Sequence, residues 1–420
     1  MLATTSDALT QTPSTTAETA ARGAPLDTTI SVRGLRKLYG GDSDKALELL
    51  AQGVSKEKIL ESTGCTVAIQ DANFEVRRGE IFVIMGLSGS GKSTVLRCLN
   101  RLIEPSAGSV VVDGIDVTRA DKQRLLEVRR RKIAMVFQNF GLLPHRSLVH
   151  NVEYGLEMQG VEKATRRAKA LHALGLVGLQ GYADKLPREL SGGMQQRVGL
   201  ARALATDSDI LLMDEAFSAL DPLIRKQMQD ELLDLQARMN KTLVFITHDL
   251  DEALKLGSRI AIMRDGAIVQ IGTPEEILTR PANDYVRAFI QDVDRTRIIT
   301  AGAIAKRSDV VIHPKAGPAL AVKRMRELGS STLFVMDPLR KFLGLVHIED
   351  ALRLVSENVH DLGRIIRADV PTTTPDTPLA KLVAVAASTR IPISVVAEDG
   401  TFQGIVDRAS LLACIAGETR

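Results

Sequence analysis

The sequence predicts an α/β fold in which a mostly parallel β-sheet is covered by helices, with a smaller antiparallel sheet beside it and an α+β module after it. Three apolar runs without polar alternation, at residues 81–85, 210–213 and 243–246, are typical of strands buried on both faces. Asp-Gly pairs flanked by β-forming residues at 113–114 and 265–266 predict hairpins. Two similar stretches about 60 residues apart in the last third of the chain predict a repeated module.

The composition restricts the class of protein. The chain has 420 residues, of which 45% are hydrophobic and 25% charged, so it can form more than one conventional core. The 54 basic and 51 acidic residues leave a formal charge of only +3, which argues against a dedicated nucleic-acid-binding protein. Three cysteines without a CxxC pair predict neither a zinc site nor a disulfide framework. Since no apolar run reaches the about 18 residues of a membrane span, we expect any membrane association to come through a partner.

Four segments are expected along the chain. Residues 1–29 are rich in Thr, Ala and Ser and lack an apolar central segment, which predicts a disordered tail rather than a signal peptide. Residues 30–293 alternate apolar runs with helical patterns and form the predicted main domain. Residues 296–355 and 360–417 are predicted to be two copies of a strand-strand-helix unit that pack as a pair.

A glycine-rich segment, residues 86–94, has the pattern G-x-x-x-x-G-K-[ST] directly after an apolar run and before a helical pattern. Its glycines allow a tight turn, so that successive N–H groups and the helix N-terminus point at anionic oxygens. We therefore predict that this phosphate loop binds a nucleotide, that Lys92 contacts its β- and γ-phosphates, and that Ser93 ligates Mg²⁺. The predicted nucleotide-binding residues of the loop are Gly86, Ser88, Gly89, Ser90, Gly91, Lys92, Ser93 and Thr94.

Two acidic residues end the apolar run at 210–213. Asp214 is expected at the carboxyl end of a buried strand, where its carboxylate can reach the same Mg²⁺. Adjacent side chains of a strand point in opposite directions, but the chain turns at a strand end, so Glu215 can face the same cleft. We assign Asp214 to the metal and Glu215 to polarising the attacking water.

A third motif, Leu-Ser-Gly-Gly-Met-Gln-Gln at residues 190–196, lies between the phosphate loop and Asp214. Ser191, Gly192 and Gly193 open a predicted helix, and such a helix start is a second place where an anion can bind. With this motif, residues 30–290 resemble the ATP-binding cassette family of transport ATPases.

The resemblance implies an ATP-binding cassette with a parallel-sheet core of the P-loop NTPase type, an antiparallel β subdomain, and a helical subdomain at about residues 139–195. It implies ATP and Mg²⁺ as cofactors, with each nucleotide held between two copies of the subunit. Gln138 follows an apolar run and by analogy is a metal ligand that links the site to a membrane partner. Asp221 of the segment 218–221 then crosses the dimer interface, and His248 contacts the γ-phosphate. Tyr39 is the aromatic residue expected to stack on adenine, although residues 40–64 interrupt the usual spacing.

The segments at 46–60, 79–86 and 213–225 are similar to those of the glycine betaine/proline importer ATPases. This similarity implies a homodimer that acts with two transmembrane permease subunits and an extracytoplasmic substrate-binding protein. The subunit is then peripheral at the cytoplasmic face of the cell membrane and serves osmoprotection. An apolar segment beside Gln138 is where this family meets its permease, and its residues are Phe137, Asn139, Phe140, Leu142, Leu143 and Pro144.

The repeated module resembles the tandem cystathionine-β-synthase-type (CBS) pair that regulates many of these ATPases. His347 with Asp350, and Asp407 with Ser410, differ from the order of ribose-binding CBS modules, so adenosine binding in the tail is not expected. Eight basic residues could instead attract an anionic lipid or a nucleotide, or form a solvated face, and they suggest salt-sensitive gating. They are Lys323, Arg324, Arg326, Arg340, Lys341, Arg353, Arg364 and Arg367.

Several alternatives stay open. The cargo could be choline, carnitine or ectoine, because the nucleotide subunit does not touch it. The chain could be a soluble cassette ATPase that acts on nucleic acid or ribosomes, but it has a single phosphate loop and no sustained heptads. A third alternative makes the tail a nucleotide sensor with the cassette as its output.

Overall fold

The computed structural model describes residues 27–416, apart from positions 219, 292, 307, 309 and 390. The predicted disordered tail therefore lies outside the described residues as far as position 26. The first strand already begins at Thr28, slightly before the expected domain start at position 30.

The main domain is built on one ten-stranded sheet with the order β5-β4-β1-β2-β10-β9-β3-β8-β7-β6. Strands β9, β3, β8, β7 and β6 are parallel, as the apolar runs predicted. The antiparallel strands are not a separate sheet, because a pairing of Ala267 with Asp71 joins them to the parallel part. The strands are β1 (Thr28–Tyr39), β2 (Thr66–Arg77), β3 (Ile81–Met85), β4 (Ala107–Val112), β5 (Ile115–Asp116), β6 (Ile133–Val136), β7 (Ile210–Asp214), β8 (Thr242–Thr247), β9 (Arg259–Arg264) and β10 (Ala267–Gly272).

Both faces of the parallel part are buried. Phe82 and Ile84 of β3 belong to the core on one face, and Val83 and Met85 belong to the core on the other. This alternation explains why the run carries no polar residue. The helices of this domain are α1 (Ser43–Ala51), α2 (Lys56–Thr63), α3 (Lys92–Leu99), α4 (Lys122–Glu127), α5 (Leu148–Met158), α6 (Lys163–Leu176), α7 (Gly192–Ala205), α8 (Pro222–Met239), α9 (Leu250–Leu256), α10 (Pro274–Thr279) and α11 (Asp284–Phe289).

The C-terminal module contains the predicted repeat. A short linker helix, α12 (Ala301–Ile304), precedes two units that share the order strand-helix-strand-strand-helix. The first unit has β11 (Val311–Ile312), α13 (Pro318–Glu327), β12 (Thr332–Met336), β13 (Phe342–His347) and α14 (Ile348–Ser356). The second has β14 (Thr372–Thr373), α15 (Leu379–Ser388), β15 (Ile393–Val396), β16 (Phe402–Val406) and α16 (Arg408–Ala416).

Each unit is completed by the segment that precedes the other one. Lys306 exchanges two backbone hydrogen bonds of 3.0 Å with Ile405 of the second unit. In the same way, Arg367 exchanges bonds of 2.8 and 3.0 Å with Leu345 of the first unit. The linker before the first unit therefore packs on the second, and Ile299 joins the second unit to the core of the main domain.

Aromatic residues fill the contact between the two units. Phe402 of the second unit lies with its ring centroid 5.7 Å from that of Phe334 and 5.6 Å from that of Phe342 in the first. Lys341 and Asp399 form an ion pair of 2.9 Å beside them. Among the described residues, no helix combines the length and the apolar character that a membrane span requires.

Candidate nucleotide-binding site

Four loops meet at one edge of the sheet. They follow the carboxyl ends of β3, β8, β7 and β6, which are neighbours in that order. Polar side chains that follow adjacent parallel strands are brought together at that edge, which is where open α/β sheets bind ligands. Side chains that are far apart in the sequence therefore lie close together at this edge of the sheet.

The phosphate loop leads from β3 into α3. Gly91 precedes the helix with φ +99°, and a Cβ at this position would lie 2.6 Å from the carbonyl oxygen of Ala68, so a larger residue does not fit. Lys92 is 5% exposed, and its amine donates to the carbonyl oxygens of Gly86 and Leu87 at 2.9 and 3.0 Å. Burial lowers the pKa of the Lys92 ammonium, while Glu215 and Asp214 act in the opposite direction. The loop thus holds a buried cation beside two carboxylates.

Asp214, the last residue of β7, is 1% exposed, and both of its carboxylate oxygens accept hydrogen bonds. Ser93 Oγ donates to its Oδ1 at 2.8 Å, and Arg97 Nη2 donates to its Oδ2 at 3.0 Å. The hydroxyl and the carboxylate form a pair of oxygen donors, the kind of ligand that Mg²⁺ takes from proteins when substrate phosphates complete its shell.

Glu215 turns toward the same cleft because its backbone leaves the strand. Its φ is +45°, in the left-handed region that costs a non-glycine residue about 1–2 kcal/mol. Its N–H donates to the carbonyl oxygen of Ile246 at 3.1 Å. Gln138 Nε2 donates to Glu215 Oε2 at 3.1 Å, and His248 Nδ1 lies 3.3 Å from the same oxygen. Two predicted site residues, Gln138 and His248, therefore meet at one carboxylate oxygen of a third, Glu215.

The serine-glycine motif forms an exposed helix tip. Ser191 is the N-cap of α7 and accepts a hydrogen bond from the Met194 N–H at 3.3 Å. Ser191, Gly192 and Gly193 line an open cleft of about 230 Å³ together with Asp221. Asp221 itself caps α8 by accepting from the N–H groups of Leu223 and Ile224 at 3.2 and 3.1 Å. The N-terminus of α7 therefore lies at this open cleft.

Tyr39 lies at the end of β1, opposite Thr66 of β2, and 42% of it is exposed. The Lys37 ammonium lies 4.8 Å from the centroid of its ring. The segment after Tyr39 that interrupts the usual spacing forms α1 and α2.

Two arginines near these residues were not predicted from the sequence. Arg97 holds Asp214, and its position four residues after Ser93 on one face of α3 is a signal that could have found it. Arg202 of α7 donates to the carbonyl oxygens of Phe140 and Gly141 at 3.0 and 2.6 Å. It fastens the segment after Gln138 to the helix that begins at the serine-glycine motif, and no motif points to it.

Local carboxylates compensate much of the predicted basic surface of the repeats. Asp350 pairs with both Arg353 and Arg367, and Asp407 accepts from Ser410 at 2.7 Å. Five of the eight basic residues lie within 4 Å of a carboxylate, namely Lys323, Lys341, Arg353, Arg364 and Arg367.

Comparison with known proteins identifies the family. The ABC transporter family matches residues 69–218, and the CBS domain matches residues 361–417. The glycine betaine/carnitine transport ATP-binding protein GbuA of Listeria monocytogenes is 56% identical over 388 residues, which are 92% of this chain and 98% of that protein. The chain belongs to the ABC transporter ATP-binding proteins. The glycine betaine transport ATP-binding protein OpuAA of Bacillus subtilis is 53% identical over 388 residues, 92% of each chain.

A more distant relative and a solved structure agree. The glycine betaine/proline betaine transport system ATP-binding protein ProV of Escherichia coli is 48% identical over 392 residues, 93% of this chain and 98% of that protein. A dimeric ATP-binding cassette in a post-hydrolysis state, bound to ADP and Pi, is 32% identical with a TM-score of 0.50. It covers 58% of this chain and 98% of its own. The predicted fold class and family are therefore confirmed, and this ABC protein is an ATP-hydrolysing subunit with a CBS tail.

Proposed function

We propose that this ABC ATPase drives the uptake of glycine betaine, proline or a related quaternary amine, as one of two identical subunits of an importer. The observation that carries the proposal is the meeting of Lys92, Ser93, Asp214, Glu215 and His248 at one sheet edge. The cargo is proposed from relatives named as glycine betaine transport ATP-binding proteins.

The phosphate loop and its helix bind the nucleotide phosphates in this proposal. Lys92 and the loop N–H groups bind the β- and γ-phosphates, because a buried cation and a helix N-terminus attract anionic oxygen. Ser93 and Asp214 would hold Mg²⁺, for which their oxygen donors fit, and Gln138 would complete the set. When bound, the ion neutralises charge on the phosphate oxygens. Within the described residues, no cluster of three or more His, Cys, Asp or Glu side chains could hold a metal ion.

Glu215 is the proposed general base. Its carboxylate is positioned by Gln138 and His248, so it can accept a proton from an attacking water while His248 contacts the γ-phosphate. Positioning and charge stabilisation provide most of the catalysis in phosphoryl transfer.

The exposed tip of α7 supports a dimeric mechanism. In the described part of the chain, no residue of the phosphate loop lines the cleft at the Ser191 tip, so we infer that the tip contacts the ATP of a second copy, with Asp221 at the interface. The dimeric state of the solved cassette supports this arrangement. ATP would then favour the closed dimer over the open one, and hydrolysis would release it.

An apolar groove next to Gln138 is the proposed permease contact. It measures about 490 Å³, and Phe137, Tyr154 and Met158 on its lining are 37%, 37% and 42% exposed. Exposed apolar side chains in one groove mark an interaction surface more often than a solvated one. This groove favours a membrane-protein partner over nucleic acid or ribosomes. In this proposal the subunit lies at the cytoplasmic face of the membrane, and the extracytoplasmic binding protein acts on the permease.

The CBS tail is the proposed regulatory part. Among the described residues, Arg324, Arg326 and Arg340 are the basic residues of the predicted set with no carboxylate within 4 Å, and we propose them as the contact for an anionic lipid or a nucleotide. Salt-sensitive gating then requires the tail. If deletion of residues 296–420 leaves the salt dependence of transport in reconstituted vesicles unchanged, the gating role of the tail is contradicted.

Uptake measurements test the main proposal. Cells with and without the transporter are compared for uptake of labelled glycine betaine, proline, carnitine, choline and ectoine after an osmotic upshift. We expect ATP-dependent uptake of glycine betaine and co-purification of a permease in detergent. Ribosomes or DNA in the purified complex, with no permease and no uptake, contradict the proposal.

A further inference from the structure

The helices inserted between β1 and β2 form a small core of their own with the strands that flank them. Ala46 of α1 and Ile59 of α2 are buried against Leu38, Cys65 and Val67, and each of these residues is at most 5% exposed. Leu38 directly precedes Tyr39. The insertion is therefore packed against the strand end that carries the predicted base-stacking residue.

Backbone contacts close this insertion just after Tyr39. The thiol of Cys65 donates to the carbonyl oxygen of Gly40 at 2.9 Å, and the N–H of Asp42 donates to the carbonyl oxygen of Thr63 at 3.1 Å. Gly41 has φ +45°, and a Cβ there would collide with the carbonyl oxygen of Thr63. The chain leaving Tyr39 is thus fixed by contacts that only a glycine at position 41 permits.

A second contact connects the insertion to the phosphate loop. Lys56 is the first residue of α2, and its amine lies close to Gly266. A Cβ added to that glycine would be 3.0 Å from the amine nitrogen. Burial lowers the pKa of the Lys56 ammonium, and the neighbouring carboxylate of Asp265 opposes that shift. The N–H of Gly266 donates to the carbonyl oxygen of Ser90 at 3.0 Å. The insertion therefore touches both the Tyr39 end and the turn that supports the phosphate loop.

We propose that the α1–α2 insertion positions Tyr39 to stack on the nucleotide base and so raises the affinity of the site for nucleoside triphosphates. The inference rests on the proposed nucleotide function. Lys37 covers part of the Tyr39 ring, and the ring remains accessible. Tyr39 pairs with Thr66, two residues from Ala68, whose carbonyl packs against Gly91. At about 3.3 Å per strand residue, Thr66 and Ala68 are about 7 Å apart along β2, so Tyr39 and the phosphate loop contact nearby positions of the same strand.

The physical reason is pre-organisation. An aromatic ring that is already held in place loses little conformational freedom when a base stacks on it, and a ring on a mobile strand end loses more. Tyr39 is exposed, so its own side chain makes few contacts that could fix it. The fixing contacts come from Leu38, Gly40 and Gly41 on either side, through the insertion.

The test uses the full chain and measures kcat and the KM for ATP and for GTP, together with the inhibition constant of inorganic tripolyphosphate, which carries no base. Cys65→Ala removes the thiol donor, Cys65→Ser restores a donor, and Gly41→Ala forces the chain away from Thr63. We expect Cys65→Ala and Gly41→Ala to raise the KM for ATP about five- to ten-fold, which is at the low end for losing one stacked base. The KM for GTP should rise by a similar factor because stacking tolerates any base, whereas kcat and the inhibition constant of tripolyphosphate should change less than about two-fold. Cys65→Ser should resemble the wild type. Leu60→Ala, at a 48% exposed position of α2, is the matched control and should change none of these constants.

Two further variants separate the possible failures. Excision of residues 43–62 joins Asp42 to Thr63, which are already hydrogen-bonded, and should cause the same rise in the KM for ATP and for GTP. If Tyr39→Ala raises the KM for ATP but the insertion variants do not, the positioning role is overturned while the proposed function stands. If Tyr39→Ala also leaves the KM for ATP unchanged, the ring is not at the base and the inference fails. A wild-type chain that neither binds nor hydrolyses ATP contradicts the proposed function itself.

Discussion

Ser93 and Asp214, 121 residues apart in the chain, are joined by a hydrogen bond of 2.8 Å from Oγ to Oδ1. The bond connects the first turn of α3 to the end of β7. Arg97 holds the second carboxylate oxygen at 3.0 Å, so the carboxylate is oriented before any ligand arrives. If this pair holds a cation as proposed, the site needs little rearrangement when the ion binds.

Asp214→Asn should therefore reduce the rate of Mg²⁺-dependent hydrolysis by about 100-fold or more. The reason is that the metal contributes several kcal/mol to phosphoryl transfer. Nucleotide binding in EDTA should change little. Hydrolysis rates across a Mg²⁺ titration, with nucleotide binding measured separately, check this result. Asp207→Asn, at an exposed carboxylate shortly before β7, is the control and should behave as the wild type. Full activity of Asp214→Asn at the Mg²⁺ concentration that saturates the wild type would show that Asp214 does not bind the metal.

Glu215→Gln should keep ATP affinity within about three-fold and reduce turnover by roughly 10²- to 10⁴-fold, the range for loss of a general base. The amide oxygen can still accept from Gln138, so the geometry is retained. Light scattering should show an ATP-dependent dimer that accumulates in this variant. Undiminished hydrolysis would exclude Glu215 as the base.

Ser191→Ala should abolish ATP-driven dimerisation in the Glu215→Gln background, because the exposed tip of α7 is proposed to bind the nucleotide of the second copy. Loss of the cap should also cost about 1 kcal/mol of stability. Thr273→Ala removes a comparable N-cap, that of α10, and separates the two effects. The control should lose similar stability and still form dimers. Equal dimerisation of both variants would argue against the interface role.

Phe402→Ala should destabilise the CBS tail by about 3–5 kcal/mol, since the 3% exposed ring packs against Phe334 and Phe342 of the other repeat. Denaturant unfolding followed by tryptic cleavage of the tail measures the change. Leu412→Ala, at a 62% exposed position of the same repeat, should cost less than about 0.5 kcal/mol. Similar losses in both variants would show that the aromatic contact does not hold the repeats together.

Glu252 predicts a pH effect on stability. Burial raises its pKa above the usual 4.5, and hydrogen bonds from Thr247 and Gln229 oppose that shift. The folded state then holds the proton more tightly than the unfolded state, so this contribution is full below pH 4.5 and is lost as the pH rises through the folded pKa.

Glu252→Gln keeps an acceptor for Gln229 and removes the buried charge. Its melting temperature should therefore exceed that of the wild type at neutral and alkaline pH but not in acid. Asp251→Asn, on the adjacent exposed position, should show no such pH dependence. A constant difference in melting temperature across pH would contradict the prediction.

Residue patterns gave correct predictions wherever a local rule applies. The runs at β3, β7 and β8 have the composition of strands buried on both faces, and the helix predicted to open at Ser191 is α7, with Ser191 as its N-cap. The role of Arg202 could not be predicted from local patterns. Its partners Phe140 and Gly141 are about 60 residues away, and no spacing rule relates them to it. The exchange of segments between the repeats was missed for the same reason.

The sequence alone determined which chemical groups this ABC ATPase possesses: the phosphate loop, the acidic pair, the serine-glycine helix start and the duplicated tail follow from residue type and spacing. Only the tertiary structure decided how they meet. It directed Glu215 into the cleft through a left-handed backbone turn, and it joined the antiparallel strands to the parallel sheet through Ala267 and Asp71. It also packed the linker before the first repeat against the second. Local patterns record backbone preferences and burial, whereas these contacts depend on the summed free energy of packing elements that are far apart in the chain.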